Sequence, residues 1–367
     1  MKAPVSPLPF LTQLPDERDP RKVIYRWDTL WTLVLVGLLS APENILALSQ
    51  WLKNHRELLC QQLDLPDVPA QATLYRFFWS LEQRLDQVQP LLVGWVNACF
   101  PPDQRPALTL LSADGKTLRG SSRPGERALS FLSVFLHDLG QTVLQVPLKE
   151  RHEARVLDTL LETVGQVFGH HWLMVLDAAY TERELAAHLT DQGGHYLLPL
   201  KNNVADLKAW AELVFTYPDD GSFVDEERRS GQTWRRTVCV QTVLPEALLE
   251  VFPQARTLIR RTHDITRRDG TRVVEVRYAV SSTLLTAEQA EHVWRTHWGI
   301  ENRSHHRRDT LFREDACWTR KAAQGLAVLR GIVLTLLHAQ TKHLTAFVRR
   351  LRSDPLACLQ LLGLPSR

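Results

Sequence analysis

The sequence predicts an α/β protein in which an all-helical N-terminal domain precedes a mixed β-sheet with helices, interrupted by a β-rich insertion. Three observations predict this class. Residues 28–100 have a helical hydrophobic pattern, the segments from residue 107 follow the order βββαβαβα, and residues 218–276 alternate polar and apolar side chains. With 367 residues, 44% of them hydrophobic, the chain can form more than one core.

Prolines divide the N-terminal region into predicted helices. Pro42, Pro66 and Pro69 mark the breaks, because proline interrupts a helix interior. After Pro69, a turn precedes the aromatic and basic helix ATLYRFFWSL, and in a helix-turn-helix arrangement Tyr75 and Arg76 would face a DNA groove. The alternative is an amphipathic core helix with a solvated arginine.

After the linker PPDQRP, strands and helices alternate. Three strands are predicted in ALTLLSADGK, LSFLSVFLHD and QTVLQVPLK, the last two joined by a tight turn at Leu139 and Gly140. The helix EARVLDTLLETVGQVF then leads to a buried strand before Asp177, to a helix with Thr181 as its possible N-cap, and to the strand HYLLPLK.

Five segments are therefore expected along the chain. They are a helical, DNA-binding N-terminal domain (1–100), the first part of the core (105–217), a β-rich insertion (218–276), the remainder of the core (277–345) and a helical tail (346–367).

Bulk composition excludes several classes of protein. The net charge of +3 is too small for a strong overall attraction to nucleic acid, so any such binding requires local patches. The five cysteines have no CxxC or metal-ligand spacing, which indicates reduced thiols.

The proline- and acid-rich N-terminus does not resemble a signal peptide, and the longest apolar run is short of the ~20 residues that span a membrane. We expect a cytoplasmic, nucleoid-associated protein without membrane contact.

Residues 290–318 are predicted to form one helix centred on Glu301. At 3.6 residues per turn, its shared face would carry Trp294, His297, Trp298, Glu301 and Arg308.

Two further acids, Asp114 and Asp177, each follow an apolar run that is predicted to be a buried strand. If they meet Glu301, three carboxylates form a hard-oxygen site suited to Mg²⁺ or Mn²⁺. Two such ions can clamp the attacking and leaving oxygens of a phosphoryl transfer. Asp114 would bridge both ions, and Asp177 and Glu301 would each hold one. An aspartate after a strand is otherwise often a helix cap or a turn residue.

Four segments carry a resemblance to a known family. SADGKTLRGS, DAAYT, HYLLPLKNN and HWGIENRSHHRRDTLFRED resemble the insertion-sequence DDE transposases of the ISAs group, also called H-repeat-associated proteins. The resemblance extends from PDERDPR, near residue 15, to about residue 340. It implies an RNase H-like catalytic core and Mg²⁺-dependent cleavage of transposon ends with transfer into target DNA. It places the catalytic acids on Asp114, Asp177 and Glu301.

The sequence also departs from the group pattern. The related signature of tyrosine, arginine, glutamate and lysine is matched only loosely, by Trp294, His297, Glu301 and Arg308. Glu182 replaces the usual glutamine after DA..T, the LHW..LDV segment reads SHHRRDTLF, and SGQTWRR replaces the HGR element of the inserted region. These departures leave open a diverged or domesticated copy.

Basic, polar and aromatic residues around the acids are candidates for DNA contact, with solvated charges, caps or core packing as the alternative. They are Lys116, Arg119, Lys201, Asn202, Asn203, Trp234, Arg235, His297, Asn302, Arg303, Arg307 and Arg308. His305 and His306 do not suit a zinc site, because adjacent helical residues point about 100° apart. Glu314 is the rival to Glu301, with a cap or salt bridge as its other possible role.

The predicted function is that of a DDE transposase with two Mg²⁺ or Mn²⁺ ions per active site. Its partners would be double-stranded DNA, both transposon ends and target, and a second copy of the chain on paired ends. Two alternatives remain, a catalytically silent DNA-binding protein derived from a transposase and a stand-alone metal-dependent nuclease.

Overall fold

The structure, a computed structural model, describes residues 4–148 and 152–365, and none of their helices is long and apolar enough to cross a membrane. The chain forms two compact units. Unit 1 comprises Met1–Arg105, Gly115–Lys149 and Glu301–Arg367, and unit 2 comprises Pro106–Asp114 and Glu150–Ile300. The chain therefore passes from unit 2 to unit 1 directly after Asp114 and directly before Glu301.

The N-terminal part of unit 1 is helical, as predicted. Its helices are α1 (Leu8–Leu11), α2 (Trp27–Leu39), α3 (Ile45–Asn54), α4 (Arg56–Leu63), α5 (Gln71–Glu82) and α6 (Leu85–Cys99). Trp27, Trp31 and Phe77 pack ring against ring, with centroids 4.9–5.8 Å apart. Nearly every side chain of α2 is buried, because this uniformly apolar helix runs through the interior of the unit.

Three strands follow the helices, as the sequence predicts. They are β1 (Thr109–Leu118), β2 (Leu129–Leu136) and β3 (Gln141–Pro147). In unit 1, β2 and β3 form an antiparallel hairpin whose turn ends at Gly140, with φ +69°. Residues 109–114 of β1 belong to unit 2 and residues 115–118 to unit 1.

Helices and strands alternate in the next part of unit 2. They are α7 (Glu153–Asp158), α8 (Leu161–Phe168), β4 (Trp172–Val175), α9 (Arg183–Asp191), β5 (Gly194–Leu200) and α10 (Ala205–Val214). The single helix expected over residues 153–168 breaks in two where the Leu160 N–H donates to the Leu157 carbonyl, three residues back. Thr181 does not cap α9, because its hydroxyl donates to the Pro199 carbonyl instead.

The β-rich segment continues the sheet of unit 2. It contains β6 (Gly221–Arg229), β7 (Gln232–Gln241), α11 (Glu246–Val251), β8 (Thr257–Thr266) and β9 (Arg272–Ser281). The strand order within this unit is β1-β4-β5-β9-β8-β7-β6. Strands β1, β4 and β5 are parallel, and the others are antiparallel. The predicted mixed sheet with helices is confirmed, and β9 joins the β-rich segment to β5.

The last part of the chain is helical, but the single helix predicted over residues 290–318 is wrong. The structure has α12 (Ala287–Thr296), a π-helical turn (Ile300–His305), α13 (His306–Phe312), α14 (Ala323–Gln340), α15 (Leu344–Leu351) and α16 (Pro355–Leu361). Helix α13 ends where Arg313 adopts a left-handed conformation, with φ 48°. The predicted shared face does not exist either, because Trp294 and Arg308 are buried whereas Trp298 and Glu301 are exposed.

Candidate active-site residues in the two units

Two of the predicted acids belong to neighbouring parallel strands of unit 2 or to the residues that follow them. The parallel strands β1 and β4 pair Ser112 with Val175, and Asp114 and Asp177 each lie two residues further along the chain. Asp114 lies within β1 rather than at its end, since the strand continues to Leu118. Asp177 follows the end of β4, where it precedes the short 3-10 turn Ala178–Tyr180. The topology thus brings the two aspartates to the same region of unit 2.

The carboxylate of Asp177 is charged and accessible. Lys201, directly after β5, donates from Nζ to Oδ1 at 2.9 Å, and the Ala178 N–H donates to the same oxygen at 2.7 Å. Partial burial raises the pKa of Asp177, but the Lys201 hydrogen bond and the Ala178 N–H together hold that pKa below its ordinary value. With its side chain 54% exposed, Asp177 is an ionised oxygen donor that solvent can reach.

A buried tyrosine lies beside the aspartates. The Tyr180 hydroxyl donates to Oε2 of Glu153 at 2.5 Å. Burial raises the pKa of Tyr180, and the negative charges of Glu153, Asp114 and Asp177 raise it further, so the phenol stays neutral. Tyr180 stands in the segment DAAYT, but the sequence carries no local signal of its buried contact with Glu153.

His297 contacts the strand that precedes Asp177. It follows the last residue of α12, and its Nδ1 lies 3.1 Å from the carbonyl oxygen of Val175. The ring is therefore partly engaged within unit 2, and its positive form would lower the pKa of nearby Asp177.

Glu301 lies on the π-helical turn, in unit 1. Its side chain is 60% exposed, and its Oε2 lies 3.6 Å from Nδ1 of the buried His305. His305 is the main cause that lowers the pKa of Glu301, against partial burial, and the charges of Lys116 and His306 add to it. Single π-helical turns are frequent at functional sites. The spacing of four residues between Glu301 and His305 is the sequence signal for this contact, because residues four apart on a helix are neighbours.

Lys116 does not offer a free charge to DNA. It is 6% exposed, and its Nζ donates to both carboxylate oxygens of Asp309, at 2.8 and 2.9 Å, and to Asp315 at 3.2 Å. The expectation that Lys116 binds phosphate is corrected, since these two acids already hold its ammonium group inside unit 1. The Arg119 side chain is 82% exposed, so this residue remains a candidate for DNA contact.

Arg308 and Glu314 belong to a buried ionic cluster of unit 1. Nε of Arg308 lies 2.8 Å from Oε2 of Glu314, Nη1 of Arg330 lies 3.4 Å from Oε1, and all three side chains are at most 2% exposed. Burial raises the pKa of Glu314, but the Arg308 and Arg330 charges outweigh it and keep that pKa below its ordinary value. Arg308 is therefore not accessible to a DNA phosphate, which corrects the expectation that it contacts DNA. The Glu314 carboxylate is buried and paired with these two arginines.

The other candidates for DNA contact differ in exposure. Arg303 is partly buried, and its Nη1 donates to the His137 carbonyl at 2.7 Å. Asn203 is exposed, although its amide donates to the Ala178 carbonyl at 2.8 Å. Lys201, Asn202, Arg235 and Asn302 are also exposed, and Trp234 and Arg307 are partly buried.

Gly120 anchors the segment that follows Glu314. A Cβ at this position would lie 2.8 Å from the backbone oxygens of Asp315 and Cys317, too close for any side chain. We expect Gly120→Ala to lower the free energy of unfolding by about 1–3 kcal/mol, because the crowded backbone must move. Gly94→Ala, inside α6 with only ordinary contacts to Phe10, is the matched control and should be neutral or stabilising. Urea unfolding of the full chain tests both, and an unchanged Gly120→Ala midpoint contradicts the tight contact.

The sequence comparison assigns the family. Residues 108–336 match the family described as Transposase DDE domain, and residues 8–96 match the one described as DDE_Tnp_1-associated. The protein belongs to the Transposase DDE domain family, and the resemblance to H-repeat-associated transposases is confirmed.

Similar proteins from Escherichia coli cover most of the chain. The "H repeat-associated putative transposase YhhI" of strain K12 is 25% identical over 344 residues, 88% of each chain. The "Putative transposase YncI" of O157:H7 is 24% identical over 363 residues, 94% of this chain and 90% of its own. A solved piggyBac transposase synaptic complex with hairpin DNA aligns over 96% of this chain and 77% of its own, with 9% identity. Its TM-score of 0.43 is too low to establish a shared fold.

Proposed function

We propose that the protein is a DNA transposase that cuts phosphodiester bonds at the ends of its element and joins those ends to target DNA. The observation that carries the proposal is the position of Asp114, on β1, and of Asp177, two residues after the neighbouring parallel strand β4, in a member of the Transposase DDE domain family. We propose an RNase H-like core for the sheet that carries them. The relatives YhhI and YncI, both named as transposases, support this activity.

The donor set fits a hard divalent cation. Local contacts lower the pKa values of Asp177 and Glu301, so both carboxylates are ionised at neutral pH, and both are more than half exposed. Carboxylate oxygens are the ligands that Mg²⁺ and Mn²⁺ prefer. We propose that Asp114, Asp177 and Glu301 are the residues that would hold the divalent ions. When bound, such ions activate the attacking oxygen and stabilise the leaving oxygen of the phosphate.

Neighbouring side chains position these acids. Lys201 binds one oxygen of Asp177 and balances its charge, and the neutral phenol of Tyr180 donates to Glu153 beside the aspartates. Nδ1 of His305 lies 3.6 Å from Oε2 of Glu301. Rigid support of this kind matters because a metal ligand must be oriented before the ion arrives.

Double-stranded DNA is the proposed partner, as transposon ends and as target. Phosphates would contact the exposed candidates Arg119, Lys201, Asn202, Asn203, Arg235 and Asn302, with Trp234, His297, Arg303 and Arg307 as partly buried neighbours. We further propose that two copies of the chain act on paired ends, since both ends of an element must be processed together. The proposed place of action is the nucleoid in the cytoplasm.

Cleavage of cognate DNA tests the proposal. We expect the full-length protein to nick a duplex that carries the repeats flanking its own reading frame in Mg²⁺ or Mn²⁺. Chelation with EDTA should abolish the nicking, and added metal should restore it. An unrelated duplex of equal length is the control. Equal cutting of both duplexes would indicate a stand-alone nuclease, and binding without cutting in either metal would indicate a silent DNA-binding protein.

A further inference from the structure

An open groove of about 1120 Å³ lies in unit 1, between α5 and the segment that leads into α14. Aromatic side chains from both elements line it: Tyr75 and Trp79 from α5, and Trp318 from the segment before α14. Basic side chains stand among them, and these are Arg76, Arg123, Arg320 and Lys321.

The aromatic rings of the groove are unusually exposed. Tyr75 is 42% exposed, Trp79 55% and Trp318 83%. Tyr75 and Trp79 are four residues apart and share the outer face of α5, whereas Leu74, Phe78 and other apolar residues of this helix are buried. Large exposed apolar surfaces on a folded unit are typical of binding sites.

The charge of the groove is positive. Among the described residues, no hydrogen bond or ion pair engages the side chains of Arg76, Arg123 and Lys321, and all three are exposed. Arg320 is already held by Glu126, at 3.0 Å, and by two backbone carbonyls. Glu82 is the acid among the lining residues, and its carboxylate accepts the Gly325 N–H at 2.7 Å. Burial raises the pKa of Glu82.

We propose that this groove binds an unpaired stretch of DNA, with bases stacked on Trp79 and Trp318 and phosphates neutralised by Arg76, Arg123 and Lys321. Aromatic platforms interleaved with unpaired cations are the means by which proteins hold single strands. A duplex keeps its bases stacked on each other, so it would leave the exposed rings unused. The backbone contact of Gly120 with residues 315–317 fixes the segment that presents Trp318. The inference rests on the proposed function only for the source of the strand, a DNA end opened during cleavage.

Binding of short oligonucleotides tests the groove. Full-length protein is titrated with a dT oligomer of about ten nucleotides, an abasic oligomer of equal length and a duplex of equal length, with fluorescence anisotropy as the readout. We expect Trp79→Ala and Trp318→Ala each to weaken dT binding about tenfold, because each removes one stacking surface. Trp210→Ala is the matched control, since Trp210 is 42% exposed on α10 and does not line the groove.

Further measurements separate stacking from charge and from catalysis. Arg76→Gln and Lys321→Gln should each reduce the salt dependence of dT binding by about one counterion. Unchanged thermal unfolding midpoints verify that these surface variants are folded. If dT binding depends on Trp79 and Trp318 but the protein cleaves no DNA end, that result would overturn the proposed function and leave the groove proposal standing.

Three results would overturn the groove proposal. They are wild-type dT binding by both tryptophan variants, equal affinity for the abasic oligomer, and duplex binding with the same dependence on the two tryptophans. The first would point to a protein ligand for the groove, and the other two to recognition of phosphates or of duplex DNA.

Discussion

Asp177→Asn should reduce end cleavage on the order of a thousandfold while leaving the affinity for DNA within about twofold of the wild type. Asparagine keeps the shape of the side chain but removes the charge that a divalent ion requires. The same loss is expected for Asp114→Asn and Glu301→Gln. Rates of nicking at cognate ends and equilibrium binding to the same duplex, measured in parallel, separate chemistry from recognition.

Two exposed acids of unit 2 provide matched controls for these variants. Asp191→Asn at the end of α9 and Glu288→Gln in the first turn of α12 remove the same charges elsewhere, and both should cleave at the wild-type rate. Calorimetric titration with Mn²⁺ gives a second readout, in which the three active-site variants should lose binding and the controls should keep it. Wild-type cleavage by Asp177→Asn would rule out the proposed metal site.

Glu314→Gln should lower the free energy of unfolding by about 3–5 kcal/mol, because it leaves the positive charges of Arg308 and Arg330 buried without their carboxylate. Urea unfolding of the full chain gives the midpoint. Glu43→Gln is the surface control, since Glu43 pairs with Arg313 at 3.0 Å in solvent and should cost less than about 1 kcal/mol.

A triple variant keeps this prediction testable if Glu314→Gln does not fold. Replacing Arg308 with Met, Glu314 with Leu and Arg330 with Met removes the three charges of this cluster together, and apolar replacement of such a cluster is often neutral or stabilising. Recovery of stability in the triple variant would attribute the loss to the uncompensated charge. A Glu314→Gln protein as stable as the wild type would show that the cluster does not contribute as proposed.

Much of the fold could be predicted because hydrophobic periodicity is a local property. The helices before residue 100, the β2–β3 hairpin and the strand that ends before Asp177 follow from patterns within short windows. The break after α12 could not be predicted in this way. Gly299 lies between α12 and the π-helical turn, but a single glycine does not specify a π-helical turn. The end of α13 at the left-handed Arg313 has no proline or glycine beside it to mark it.

The acids of the candidate site stay a prediction, whereas two of its basic residues are corrected by the structure. Asp114 and Asp177 are predicted from their positions relative to apolar strands, and in the structure each lies two residues beyond the paired Ser112 and Val175 of β1 and β4. Lys116 and Arg308 were expected at the surface because isolated charges usually are. Asp309, which binds the Lys116 ammonium group, lies 193 residues further along the chain. No local sequence pattern can therefore show this contact.

By itself, the sequence determined the family, the three candidate acids and most of the helices and strands, since these depend on residue type and spacing along the chain. The tertiary structure decided which charges are available. It buried Lys116 and Arg308 with acidic partners, set His305 beside Glu301, and combined Trp79 and Trp318 in one basic groove. The physical reason is that burial and ion pairing depend on neighbours in space, which chain folding brings together from distant positions.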